Sequence, residues 1–164
     1  MITGYIKGNI VELFMKHECD IAHGCNCFTT MGAGVAGQLA KAYPPILDVD
    51  IDEDRYYDNN LAKLGTHTRA THKNDTAYCY NLYTQYAPGP NVDYGAIFNA
   101  FHELNSGRIV YNRPLYIPKI GAGIAGGDWE LIEKLINLAT PDIDIMVVEY
   151  EEAKAKSVLL EVNR

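Results

Sequence analysis

The sequence predicts an α/β protein, a three-layer α/β/α sandwich with a mostly parallel mixed sheet that can carry an antiparallel edge. Segments with strand patterns alternate with segments of helical apolar spacing along the chain. The last of them, 143–150, is an almost continuous apolar run, as expected for a strand covered on both faces by helices. The 164 residues, 48% hydrophobic and 21% charged, suit one globular domain. We expect that domain to span 1–150 and a charged tail to follow over 151–164.

In the first half of the chain, breaking residues separate the predicted elements. Gly8 ends an alternating first strand, and Pro44 with Pro45 stops a segment of helical period. The segment 46–64 is acidic and polar, which predicts a solvated loop with one helical turn. The elements expected before this loop are strands at 2–7 and 19–25, a short helix or turn at 10–15 and a helix at 35–43.

The second half continues the alternation. A turn-rich segment at 72–75 joins two strands, and a loop rich in proline and glycine occupies 88–91. Asp128 stands where a helix N-cap is expected. The predicted elements are strands at 66–70, 77–84, 115–120 and 143–150, and helices at 94–104 and 129–138.

Charge and cysteine content narrow the function classes. The formal net charge of −7 disfavours general nucleic-acid binding, which needs clustered Lys and Arg to neutralise phosphates. No apolar run approaches the ~20 residues of a membrane span, and no basic segment leads into an apolar one at the N-terminus.

The four cysteines (19, 25, 27 and 79) lack the spacing of zinc or redox motifs. We therefore expect free thiols, mostly buried, in a cytoplasmic protein. We expect neither a metal nor another cofactor.

Two glycine loops carry the clearest functional signal. Residues 31–36 (MGAGVA) and 120–127 (IGAGIAGG) each follow a predicted strand and lead towards a predicted helix. Glycine-rich loops in this position turn backbone N–H groups towards a phosphate, with help from the positive end of the helix dipole. Either loop alone could be a tight connection, but two nearly identical loops predict a cleft with two walls around a diphosphate.

The sequence resembles the macro domains, and within them the branch of yeast-type ADP-ribose-1″-phosphate phosphatases. The resemblance runs from residue 4 to about 150, with few matches in 46–114. The matching segments, in chain order, are 4–10 (GYIKGNI), 21–27 (IAHGCNC), 31–40 (MGAGVAGQLA), 43–44 (YP), 117–120 (IPKI), Gly123-Ile124 with Gly126, and Trp129.

The resemblance implies a binding site for ADP-ribose at the ends of the parallel strands. Residues after the first strand would border the adenine, with the Asn9 amide oxygen accepting the adenine amino proton. Residues after the next strand would contact the distal ribose, and the two glycine loops would hold the phosphates. The implied binding residues are Gly8, Asn9, Ile10, Gly24, Cys25, Asn26, Met31, Gly32, Ala33, Gly34, Val35, Ala36, Ile120, Gly121, Ala122, Gly123, Ile124, Ala125 and Gly126.

The resemblance also implies hydrolysis of ADP-ribose 1″-phosphate to ADP-ribose and phosphate, with His23 and Asn26 as catalytic residues. His23 would act as nucleophile or as base for water, since its side chain titrates near neutrality. The alternative for His23 is a core histidine, for Asn26 a turn residue, and for Asp128 a catalytic acid in place of a cap.

Two other functions stay open. One is a non-catalytic reader or sponge for ADP-ribose, and the other is a hydrolase that removes ADP-ribose from a modified macromolecule. Against the second, Ala125 and the segment 84–85 stand where a deacylating branch of macro domains carries an aspartate and a lysine. In every case we expect a monomer whose partner is a small ADP-ribose derivative, with no nucleic acid and no membrane.

Overall fold

The structure, a computed structural model, describes residues 1–108 and 110–151. Strands alternate with helices in these ranges, as the sequence predicts. The strands are β1 (Ile2–Gly8), β2 (Ile21–Cys25), β3 (His67–Thr71), β4 (Tyr78–Tyr83), β5 (Leu115–Ile117) and β6 (Ile145–Tyr150). The helices are α1 (Ile10–Met15), α2 (Gly34–Ala42), α3 (Pro45–Glu53), α4 (Tyr94–Arg108) and α5 (Trp129–Ala139).

The strands form one mixed sheet in the order β1-β6-β5-β2-β4-β3. All neighbouring pairs are parallel except β3 with β4, an antiparallel hairpin at one edge. This confirms the predicted mostly parallel sheet and its antiparallel edge. Because five strands run in the same direction, their carboxyl ends meet at one edge of the sheet, where α/β proteins bind ligands.

Helices cover both faces of the sheet. On one face, α4 and α5 bury Ile97, Phe101 and Ile136 against the side chains of β4, β5 and β6. On the other face, α1, α2 and α3 pack against β2 and β4, with Phe14 and Leu39 at the centre of that layer. Two separate cores therefore flank the sheet, as a three-layer sandwich requires.

The loop predicted for 46–64 is wrong. Pro45 begins α3, because a proline fits the first turn of a helix, where no backbone N–H is needed. Helical spacing then places Ile46 and Asp50 on the same buried face of α3. Two short 3₁₀ helices, Asp54–Tyr56 and Asn60–Lys63, continue the segment. Asp50, expected in solvent, is fully buried because the buried ammonium of Lys63 pairs with it at 2.6 Å.

Other boundaries move by a few residues. β5 ends at Ile117 and not at Ile120, since Pro118 has no N–H to continue the ladder. The predicted charged tail beyond Glu151 lies outside the described residues. None of the helices in 1–108 and 110–151 combines the length and the apolarity that a bilayer span would need.

Candidate ligand-binding cleft

Two adjoining cavities open at the carboxyl edge of the sheet. The loop cavity, of about 310 Å³, lies between residues 31–36 and 118–125 and reaches the ends of β2 and β4. The edge cavity, of about 230 Å³, lies beside the ends of β1 and β6. Gly34, Val35 and Pro118 line both, so the two cavities form one elongated cleft.

The two glycine loops form opposite walls of the loop cavity. Gly34 has φ +59° and Gly121 has φ +79°, values that favour glycine over any residue with a Cβ. A Cβ added to Gly123 would meet no atom within 4 Å, so the backbone there faces open space. Helix α2 begins at this wall, and no side chain caps its first N–H groups. Uncapped donors at a helix N-terminus bind anions, which agrees with a phosphate site.

The second loop differs from the first at its helix. Asp128 is the N-cap of α5, where its carboxylate accepts the Glu130 N–H at 3.0 Å. This confirms the predicted cap. The Asp128 carboxylate already supplies a negative charge at the N-terminus of α5, so this helix end is not free to bind a phosphate. Of the two helices that follow the glycine loops, only α2 therefore offers free N-terminal donors to the cleft.

Most of the predicted binding residues line the cleft. Gly8, Asn9 and Ile10 line the edge cavity, and the members from β2 and the two loops line the loop cavity. The predicted residues that line neither cavity are Gly32, Ala122, Gly126 and the catalytic residue His23.

Asn9 lines the edge cavity and stabilises the start of α1. It is the N-cap of α1, and its amide oxygen accepts the N–H groups of Val11 and Glu12 at 2.9 and 3.4 Å. The oxygen that the resemblance assigned to adenine is thus already bonded. Tyr150, at the end of β6, lines the same cavity and is 60% exposed. A free aromatic face next to a cavity suits stacking on a base.

Asn26 holds the turn that follows β2. Its amide nitrogen donates to the Thr30 hydroxyl at 2.8 Å, and its oxygen accepts the Phe28 N–H at 2.8 Å. The structure is compatible with both interpretations of Asn26, as a turn residue and as a residue that contacts a ligand. Its side chain closes the turn, and the residue also lines the loop cavity.

His23 lies in the protein interior, not at the cavity surface. The residue is 0% exposed, and its Nε2 lies 2.6 Å from the Asn81 side-chain oxygen. The Asn81 amide donates to the Ile46 carbonyl and the Thr68 hydroxyl, so its oxygen faces His23 and Nε2 carries the proton. Burial lowers the pKa of His23 from 6.5 to about 4, so the imidazole is neutral near pH 7. The structure therefore does not place His23 where it could attack a bound phosphate.

The cysteines are free, as predicted, and three of the four are buried. Burial raises the pKa of the Cys25 thiol well above its ordinary value, and that of Cys27 to about 11. Cys25 lines the loop cavity as a protonated thiol, with its sulfur 3.7 Å from His23 Nδ1. A thiol in this state contributes packing and is not a nucleophile.

Several residues of the cleft are not among those predicted to bind a ligand. Thr84 and Gln85 follow β4 and line the loop cavity, and the rule that ligands bind at strand ends could have found them. Tyr150 could have been found in the same way. Asp50 also lines the loop cavity, but no sequence signal pointed to it, since its segment read as a solvated loop.

The chain is similar along most of its length to two proteins of known sequence. It is 47% identical to the "uncharacterized 17.5 kDa protein in tk-vs intergenic region" of Enterobacteria phage T4, over 92% of this chain and 98% of that protein. It is 23% identical to an ADP-ribose 1″-phosphate phosphatase of Saccharomyces cerevisiae, over 88% of this chain and 97% of the yeast protein.

Among solved structures, the macrodomain of Thermus aquaticus DarG superposes with a TM-score of 0.72 at 20% identity, covering 91% of this chain and 98% of the other. No protein-family model matches the chain.

Proposed function

Since the chain belongs to the family of the phage T4 17.5 kDa protein and has the macro-domain fold, we propose that it binds ADP-ribose and hydrolyses ADP-ribose 1″-phosphate. The observation that carries the proposal is the elongated cleft, in which a loop cavity walled by two glycine loops adjoins the edge cavity. A nucleotide whose diphosphate joins two riboses matches that shape. Its adenosine would lie in the edge cavity and its distal ribose in the loop cavity.

Three features of the cleft support binding. The uncapped N-terminus of α2 offers backbone donors to a diphosphate. Tyr150 offers an aromatic face at the edge cavity. Gly123 leaves open space where a side chain would fill the cradle. None of these contacts needs a basic side chain, which explains how a protein of net charge −7 could bind an anionic ligand.

The phosphatase step is supported by the yeast relative, whose name states that activity. Asn26 lines the loop cavity and is proposed to contact the ligand. His23 is proposed as a positioning residue, because its imidazole holds Asn81 and lies next to the Cys25 sulfur behind the cavity wall. Backbone N–H groups of the glycine loops would stabilise charge on the phosphoryl oxygens.

One pair of variants tests the binding site. Gly123→Glu should abolish ADP-ribose binding, because the new side chain enters the cradle and adds a like charge. Gly107→Glu is the matched control, since Gly107 lies on the exposed side of α4 and its Cβ would also meet no atom within 4 Å. Calorimetric titration with ADP-ribose and with AMP measures both. If Gly123→Glu binds ADP-ribose like the unchanged protein, the second loop is not the phosphate site.

A phosphate-release assay on ADP-ribose 1″-phosphate tests the reaction. Release of phosphate by the unchanged protein would support the activity. A lower kcat in His23→Ala, with the affinity for ADP-ribose unchanged, would support the positioning role of His23. Binding without any turnover would favour the reader function. The burial of His23 and the protonated state of Cys25 are the observations on the side of that alternative.

A further inference from the structure

Asp50 is a buried carboxylate that lines the loop cavity and has no part in the function proposed above. The residue is 0% exposed, and its Oδ1 accepts hydrogen bonds from Lys63 Nζ at 2.6 Å and from the Tyr83 hydroxyl at 2.7 Å. Within 1–108 and 110–151, no group donates a hydrogen bond to its second oxygen, Oδ2. A buried carboxylate oxygen without a donor is costly, so its position next to a cavity needs an explanation.

Two donors hold this carboxylate in place. Lys63 is fully buried and also donates to Asp54 at 2.7 Å. Burial acts to lower the pKa of Lys63, but the hydrogen bonds to Asp50 and Asp54 outweigh it, and the pKa lies above its ordinary value. Burial also raises the pKa of Tyr83, whose hydroxyl therefore stays a donor. Asp50 thus has a fixed orientation and a positive counter-charge on the side of Oδ1.

A chain of directed hydrogen bonds ends at the same oxygen. Register places His23 beside Asn81 and Asn81 beside Thr68, on three neighbouring strands. His23 donates to the Asn81 oxygen, and the Asn81 amide donates to the Thr68 hydroxyl at 3.0 Å. Because Tyr83 donates to Asp50, Thr68 must donate to Tyr83, 2.9 Å away. All these donors are directed towards Oδ1, so of the two carboxylate oxygens of this cavity-lining residue only Oδ2 lacks a donor among the described residues.

We propose that Asp50 Oδ2 accepts a hydrogen bond from a hydroxyl group of the bound ligand, and so makes this part of the loop cavity specific for a sugar hydroxyl. The proposal rests on the proposed function, because the sugar in question is the distal ribose of ADP-ribose. A carboxylate oxygen only accepts, so it pairs with a hydroxyl and repels a phosphate. A 1″-phosphate on the substrate would consequently face away from Asp50.

The variant Asp50→Asn tests this contact. Lys63 and Tyr83 donate to Oδ1, so they would hold the amide oxygen there and leave the amide NH₂ facing the cavity. An acceptor would thereby become a donor. We expect the affinity for ADP-ribose to fall about 10-fold or more, the value of a hydrogen bond to a charged group. The affinity for ADP, which lacks the distal ribose, should not change. Asp52→Asn, the same change at an exposed position of α3, is the matched control and should leave both affinities unchanged.

A second variant separates loss of the ligand contact from loss of the fold. Asp50→Asn removes the buried negative charge that pairs with Lys63, whereas the double variant Asp50→Asn with Lys63→Met removes both charges of that pair. It should show the same selective loss for ADP-ribose over ADP. An unchanged protein that binds no ADP-ribose overturns the proposed function and this contact together. If the unchanged protein binds ADP-ribose, and the folded variants bind it equally well or lose ADP-ribose and ADP to the same extent, the contact alone is wrong.

Discussion

At the scale of single residues, the burial and the charge state of His23 depend on the position of its strand in the sheet. β2 is an inner strand of the sheet, and His23 points into the layer formed by α1, α2 and α3. The imidazole is stabilised there in its neutral form by burial and by its bond to Asn81. A residue type suited to proton transfer at pH 7 has become part of a buried polar network.

This state predicts a specific pH dependence of stability. In the unfolded chain His23 takes up a proton near pH 6.5, but in the folded protein only near pH 4. Protons therefore favour the unfolded state between these values, and stability is lost as the pH falls from about 6.5 towards 4. One proton corresponds to about 1.4 kcal/mol per pH unit.

Urea unfolding of His23→Gln between pH 7 and 5 measures this contribution. The variant should show a slope of unfolding free energy against pH that is smaller by up to one proton, because glutamine keeps a donor for Asn81 but does not titrate. Equal slopes for the variant and the unchanged protein would mean that His23 is not held neutral.

At the scale of elements, the two helices that follow the glycine loops differ in how they begin. The first turn of α2 has no side-chain cap, while α5 is capped by Asp128. Both carry a hydrophobic face into a core, so the difference concerns only the free backbone donors. The uncapped helix is the one whose start lines the cleft.

Asp128→Ala should therefore affect stability and not function. We expect the free energy of unfolding to fall by about 1 kcal/mol, the usual value of an N-cap. The affinity for ADP-ribose should stay the same, because Asp128 lines neither cavity. Asp128→Ser, which keeps a capping oxygen, should restore most of the stability. A loss of turnover in Asp128→Ala without a loss of stability would instead support the role of catalytic acid.

At the scale of the whole molecule, the two edges of the sheet have different tasks. Near the amino ends of the strands, Asp20 pairs with Arg108 at 2.8 Å and with Arg113 at 2.5 Å. This ion cluster joins the start of β2 to the end of α4 and to the segment before β5. The carboxyl edge instead has an open cleft built by segments after four strands and by the end of β6. The proposed ligand site is therefore formed only in the complete fold.

Ligand binding should consequently stabilise the entire domain. ADP-ribose at 100 times its dissociation constant should add about 2.7 kcal/mol to the free energy of unfolding. The melting temperature should rise with ligand concentration in the unchanged protein and stay constant in Gly123→Glu. A melting temperature that does not respond to ADP-ribose in the unchanged protein would contradict the proposed binding.

The sequence by itself determined the sheet and the loops of this protein. Alternating strand and helix patterns predicted the parallel three-layer fold, and two GAG motifs predicted the walls of the cleft, because strand period and glycine geometry are local properties. Only the tertiary structure decided the depth of the polar side chains. Packing of α3 against β3 and β4 buried Asp50 and Lys63 together, and strand order placed His23 behind the cavity wall. Burial and pairing depend on residues distant in the chain, and no local pattern encodes them.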